Sequence, residues 1–266
     1  IRSMAAPNAF GDPDHYSVRY TGSGDNGGVH TNSSIVNHMY YLAIMGGTNR
    51  VSKQTVTGVG FDNRALIDAL VTSNGRAKGV AFIDESFTDA QLKEMDAQGI
   101  KGVRFNFIKR LVDSTPKDVM VRIANRIAKL DWQIVVYFEH ADLDEMGPFL
   151  KSLPTTLVFD HMACPDVKAG LNGKPWQKWL EALDANKNWI TKVTCPERFT
   201  LTGAPYDDVV PFAKTIVEAF PDRVIWGTDW PHPNMPKEAP DDGIITDMIP
   251  KIAVTAELQK KLLVDN

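Results

Sequence analysis

At 266 residues, with 43% apolar and 23% charged side chains, the chain can form one large domain or two small ones, and its composition is that of a globular protein. A net charge of −4 and a pI near 5.9 argue against nucleic acid or an anionic membrane surface as the main partner, while leaving room for a local cationic pocket. Cys164 and Cys195 are too far apart for a CxxC motif and imply no disulfide framework, which fits a reducing, cytoplasmic setting. No apolar run approaches the length of a membrane span. The opening Ile-Arg-Ser-Met has neither the basic nor the apolar region of a signal peptide, and a start on Ile suggests a fragment or a processed product.

Residues 1–60 are rich in Gly, Asn, Ser and Tyr and carry one predicted helix, Ser33 to Met45, closed by Gly46-Gly47. Thr55 to Val59 alternates like a short strand. After Phe61 the grammar changes. A helix is expected over Asn63–Ser73, with Leu66, Ile67, Leu70 and Val71 on one face. A strand at Val80–Ile83 leads to a helix capped by Thr88, with Gln91 completing a capping box. The next strand is Ile100–Phe107, and Thr115-Pro116 opens a helix with proline at its tolerated first position. Further strands are predicted at Gln133–Phe138, Thr156–Asp160, Trp189–Thr194 and Arg223–Trp226, with helical stretches between most of them.

These strands are short and apolar on both faces, as buried parallel strands are. Six successive βα-type units define an α/β fold, either a barrel or a doubly wound sheet. Reactive side chains decide between the two. They follow nearly every strand: Arg104 and Asn106, Tyr137 and Glu139, Asp160 and His161, Cys195 and Arg198, Asp229 and His232. A doubly wound sheet concentrates its site at one switch point, whereas a (β/α)8 barrel draws on the C-terminal ends of many strands. The expected fold is therefore an incomplete (β/α)8 barrel of about six units over residues 61–266, preceded by a mostly helical and loop segment over 1–60.

Three local signals carry chemistry. In Trp226-Gly-Thr-Asp-Trp-Pro-His-Pro-Asn234 a strand runs straight into Asp229, which can hold a metal or take a proton from water, or alternatively caps a structural turn. Arg104 and Arg110 in Val103-Arg-Phe-Asn-Phe-Ile-Lys-Arg110, with Arg198, offer guanidinium groups suited to bidentate carboxylate recognition; Arg110 alone reads equally as a surface arginine. His161 in Phe159-Asp-His-Met can bind metal, polarise a carbonyl or serve the core.

These motifs, together with Tyr-Phe-Glu and Thr-Cys-Pro-Glu-Arg, resemble those of the 2-pyrone-4,6-dicarboxylate hydrolases, lactonases of the amidohydrolase superfamily, from about Asp62 to the C-terminus. The resemblance implies a hydrolase that opens the lactone of a small dicarboxylate with no divalent metal. Asp229 would be the base that activates water, and His161 and Tyr137 would contact the lactone carbonyl. Arg104, Arg110 and Arg198 would hold the carboxylates, and His232 and Asn234 would line the pocket. Cys164 stands where the family carries an arginine, and the family's His-x-His strand has no counterpart, so the first strand and most of the second are expected to be missing. The alternative within the superfamily is a metal-dependent amidohydrolase or decarboxylase, with His161, His232 and Asp229 holding one divalent ion such as zinc.

Asp12-Pro-Asp-His-Tyr-Ser-Val-Arg-Tyr20 and Asp25-Asn-Gly-Gly-Val-His30 resemble a different family, the C-terminal domain of thermolysin-like metalloproteases. That resemblance implies that Arg2, Asp25 and His30 descend from transition-state contacts of a protease. A zinc protease also needs a His-Glu-x-x-His helix, and the six histidines include none, so peptidase activity is not expected. The chain therefore reads as a truncated chimera joined between Val51 and Phe61. Gln54 to Gly60 is the segment expected to replace a lost barrel strand. A non-catalytic fragment is the remaining alternative, because an open barrel leaves sheet edges unpaired. The sequence sets no oligomeric state.

Overall fold

The computed structural model describes residues 7–24, 31–32, 35, 47–48, 50–51, 53, 55–56, 61–108, 115–232 and 240–266. It divides into two compact units, Ile1–Asp68 and Ala69–Asn266.

In the first unit, 3-10 turns occupy Pro7–Phe10 and Tyr16–Val18. Buried Asp14 pairs with Arg50 at 2.6 Å. Strand β1 (Gly47–Thr48) pairs antiparallel with β2 (Thr55–Val56) in a sheet of their own. This corrects the expectation that Gln54–Gly60 supplies a barrel strand: its described part pairs with the segment just before it, because closing a short local loop costs less entropy than a distant pairing. The helix expected over Ser33–Met45 lies almost wholly outside the described residues.

The second unit is built on β3 (Gly79–Ala81), β4 (Ile100–Asn106), β5 (Gln133–Tyr137), β6 (Leu157–Phe159), β7 (Trp189–Val193) and β8 (Val224–Trp226). All six are parallel and follow one another in chain order. A doubly wound sheet reverses its order at a switch point; this one never reverses, which is the winding of a (β/α)8 barrel and makes the sheet a partial one. Gly102 is required by close packing, since a Cβ there would come within 2.8 Å of the Gln133 carbonyl on the next strand.

The helices are α1 (Arg64–Thr72), α2 (Asp89–Ala97), α3 (Lys117–Ile127), α4 (Leu143–Lys151), α5 (Lys174–Ala185), α6 (Val210–Ala219), and the short α7 (Asp242–Thr246), α8 (Ile249–Ile252) and α9 (Ala256–Lys260). In α1, Leu70 is buried but Val71 is exposed, so the expected apolar face is narrower than the sequence suggests. The capping box of α2 forms as read: Gln91 N donates to Thr88 Oγ1 at 3.2 Å and Thr88 N donates to Gln91 Oε1 at 2.8 Å. Pro116 is the N-cap of α3 rather than its first residue, with extended backbone at φ −61° and ψ 146°.

An aromatic cluster forms the packed layer between sheet and helices. Trp176 and Trp179, three apart on α5, share one helix face. Phe159 lies 4.9 Å from Trp179 and 4.7 Å from Trp189, and Trp176 lies 5.0 Å from Phe212 on α6. All four tryptophans of this layer and its neighbourhood, including Trp132, are less than 3% exposed. Side chains of this size carry most of the burial that holds the sheet to its helices. Arg223 adds a clamp, donating to the carbonyls of Leu183, Asn186 and Trp189 and so tying the α5–β7 connection to β8.

Candidate active site

Register places the polar groups. Successive side chains of a strand alternate between faces, and in-register neighbours share a face. Arg104 pairs with Val135, Val135 with Val158, and Val158 with Ile190, while Asn106 pairs with Tyr137. Counting two residues onward, Asn106, Tyr137, Asp160 and Lys192 fall on the same face, one layer beyond Arg104. Thr194, Cys195, Glu197 and Arg198 follow β7, and Asp229 and His232 follow β8.

Asp160, 2% exposed, anchors two cations. Arg104 Nη2 lies 2.7 Å from its Oδ2, and Lys192 Nζ lies 2.9 Å from its Oδ1. Arg104 also donates to Asn106 Oδ1 at 3.0 Å and lies over the Tyr137 ring. One buried carboxylate thus holds two cations at the face, with a net positive charge.

His161 is buried, with Nδ1 2.6 Å from Thr194 Oγ1 and Nε2 3.8 Å from Asp229 Oδ1. Its ring packs edge-on against Tyr137, centroids 5.0 Å apart. Burial lowers its pKa below the ordinary histidine value, outweighing the opposing pull of Asp160 and Asp229, so the ring tends to be neutral. On the other oxygen of Asp229, the Cys195 thiol donates to Oδ2 at 3.0 Å and Arg198 Nη2 lies 3.5 Å away. Arg198 Nε donates to Cys195 Sγ at 2.9 Å. Burial, then the Glu197 charge, pushes the Cys195 pKa upward and keeps the thiol protonated. His232 is buried between two carboxylates, Glu197 Oε1 at 3.2 Å and Asp242 Oδ1 at 3.0 Å.

The backbone beneath these side chains is strained. His161, Met162, Ala163, Cys164, Cys195, Asp229 and His232 all have φ between 54° and 72°, in the left-handed region that β-carbon-bearing residues avoid. Such outliers persist where surrounding structure over-determines them, and they cluster at functional sites.

Of the residues expected to form the site, Asp229, His161, Tyr137, Arg104, Arg198 and His232 stand at this end of the sheet. Arg110, Asn234, Arg2, Asp25 and His30 lie outside the described residues. Lys192, Thr194, Glu197 and Asp242 join the site without having been singled out. A lysine interrupting the apolar run Trp189–Val193 was a usable signal for the first; Asp242 had none.

A parallel sheet in barrel order, with polar side chains after most of its strands gathered around Asp229 and the buried His161 and His232, is the arrangement of an amidohydrolase, and the chain belongs to the amidohydrolase family, whose model matches residues 36–266. It is 53% identical over 215 residues to the 2-pyrone-4,6-dicarboxylate hydrolase of Comamonas testosteroni, covering 78% of this chain and 70% of that protein. A solved structure described as a putative 2-pyrone-4,6-dicarboxylic acid hydrolase from Pseudomonas putida superposes with TM-score 0.66 at 28% identity, covering 78% of this chain and 76% of that one. A stretch of 67 residues, a quarter of this chain, is 58% identical to bacillolysin of Bacillus cereus, of which it covers 12%. An amidohydrolase from Burkholderia multivorans solved with bound zinc shares the fold at TM-score 0.55 and 17% identity, over 94% of this chain and 92% of that one.

The expectation of a site without a metal is corrected by these findings. His161, Cys195 and Asp229 offer ligand atoms within 4.8 Å of one another, and so do Glu197, Asp229 and His232. The Burkholderia multivorans amidohydrolase that shares the fold was itself solved with zinc bound. The donor set fits a divalent cation: imidazole, carboxylate and a cysteine sulfur that gives up its proton to the ion together suit a borderline-soft ion such as zinc. Glu197 Oε2 is buried without a hydrogen-bond partner, an orphan that a cation would satisfy.

Proposed function

We propose that the chain hydrolyses the ring ester of a small dicarboxylated lactone of the 2-pyrone-4,6-dicarboxylate type. The observation that carries this reading is the placement of Asp229. Cys195 and Arg198 hold one of its oxygens, and the other faces the neutral His161 across 3.8 Å. A carboxylate held in this way has a lone pair available for a water proton. The 53% identical hydrolase from Comamonas testosteroni supports the substrate class.

In the proposed reaction, Asp229 takes a proton from water as the oxygen adds to the lactone carbonyl carbon. His161 and Tyr137 face the carbonyl oxygen, where negative charge develops. The ring C–O bond then breaks, and the proton passes from Asp229 to the leaving oxygen. Arg104, Lys192 and Arg198 bind the substrate carboxylates, with Arg110, His232 and Asn234 completing the pocket. Arg104 and Lys192 share one carboxylate, Asp160, so that part of the face keeps the positive charge that an anionic substrate group requires. When bound by His161, Cys195 and Asp229, with Glu197 and His232 adjacent, a divalent cation would supply Lewis-acid polarisation of the carbonyl.

The test is turnover of 2-pyrone-4,6-dicarboxylate, followed by loss of ring absorbance. Asp229→Asn is expected to lower kcat by roughly 10² to 10⁴-fold, the range for removing a general base. Undiminished turnover in that variant would refute the role of Asp229.

A further inference from the structure

Four consecutive residues that are not glycine, His161 to Cys164, hold left-handed φ values of 54°, 55°, 55° and 59°. Each such residue is unfavourable by itself, because its Cβ crowds the following carbonyl. A run of four persists only if outside contacts pin it. Cys164 N closes the turn by donating to His161 O at 2.9 Å, but that bond lies within the turn and fixes nothing outside it. At the His161 end the outside contact is Thr194, through the histidine ring. At the other end it is His140, from the connection after β5: His140 Nδ1 lies 3.0 Å from the Ala163 carbonyl oxygen.

A carbonyl only accepts, so His140 carries its proton on Nδ1 and donates it there. His140 is itself 5% exposed and packs edge-on against Trp176, centroids 6.1 Å apart, in the aromatic layer. The bond thus runs from the rigid core to the strained turn. Ala163 is fully buried and Met162 is 1% exposed, so the Ala163 carbonyl is shut off from bulk water that could replace a lost donor. We propose that His140 is a positioning residue: its Nδ1–H holds the His161–Cys164 turn in the left-handed conformation that aims the His161 ring at Asp229 and Tyr137. This rests on the lactone-hydrolase reading for the role of His161, but not for the geometry.

The experiment uses three variants. His140→Phe keeps a ring against Trp176 and removes the donor. His140→Gln removes the donor from the Nδ1 position while staying polar, and serves if the Phe variant fails to fold. His140→Asn places an amide N–H close to the Nδ1 position. Ring-nitrogen resonances of ¹⁵N-histidine-labelled protein report the His161 tautomer and environment, with the His161 signals assigned by their loss in His161→Asn. Steady-state kinetics on 2-pyrone-4,6-dicarboxylate run alongside.

The Phe and Gln variants are expected to shift the His161 nitrogen resonances and to lower kcat about tenfold to a hundredfold with KM within about twofold, as small misplacements of a reacting group do. The Asn variant is expected to restore both. His161 resonances unmoved in a folded Phe or Gln variant would overturn the proposal, as would an Asn variant no better than Gln. If the parent chain turns over no lactone while the resonances shift as expected, the lactone reading falls and the positioning role stands.

Discussion

Asp160→Asn tests the electrostatic design of the site most directly. The aspartate is 2% exposed and its two oxygens serve different cations, Arg104 at 2.7 Å and Lys192 at 2.9 Å, each about a quarter exposed. Asparagine keeps the shape and one acceptor oxygen, but it turns an N–H₂ group toward whichever cation it does not accept from. Removing one member of a fully buried ionic set costs about 3–5 kcal/mol, because the remaining charge is left uncompensated. Partial exposure lets water reach both cations, which brings the expected loss to about 2–3 kcal/mol. For a unit of about 200 residues that is a fall in Tm of roughly 4–12 °C, at 2–4 °C per kcal/mol. Urea unfolding followed by tryptophan fluorescence measures it, with the slope against urea checked for constancy. A loss below about 0.5 kcal/mol would refute the reasoning, since it would mean that Arg104 and Lys192 are solvated well enough to need no buried partner.

The remaining predictions concern His161 and Cys195. The His161 pKa is lowered in the folded state by burial, so below about pH 6.5 the unfolded chain binds a proton that the folded chain resists. Stability is therefore expected to fall as pH drops below 6.5, and His161→Asn should flatten that part of a pH series of unfolding curves; an unchanged slope would exclude His161 as its source. Cys195→Ala removes the thiol from the group it forms with His161 and Asp229. Zinc affinity, measured by competition with a chromophoric chelator, should weaken at least about tenfold, in line with the loss of one ligand; equal affinity would move any ion to the Glu197, Asp229 and His232 group.

The sheet was readable because it rests on local pattern. Five of the six strands lie within the apolar segment predicted for them, β3 starts one residue early at Gly79, and Thr88 and Gln91 announce their helix start by type and spacing. The barrel winding followed from polar residues at the strand ends. What stayed hidden depends on pairing across distance. Lys192 was not singled out, and strand register is what puts it on the face that carries Asp160. Cys195, Asp229 and His161 come from three separate strand ends, so no motif spacing reveals that their ligand atoms converge. The metal-free expectation rested on the family resemblance, and the metal alternative named His161, His232 and Asp229 but not Cys195 or Glu197. The pairing of Thr55–Val56 with Gly47–Thr48 was missed because strand propensity says nothing about the partner.

The left-handed residues at the strand ends also bear on how such a chain changes under selection. At these seven positions glycine would relieve strain instead of adding it, so random mutation screened only for thermal resistance would be drawn to the Met162–Cys164 turn and to the loops around Cys195 and Asp229. Those gains would loosen the aim of the very side chains proposed to do the chemistry. Screens for robustness and screens for turnover should therefore enrich opposite residues at the same few sites, while the tryptophan layer beneath is retained by both.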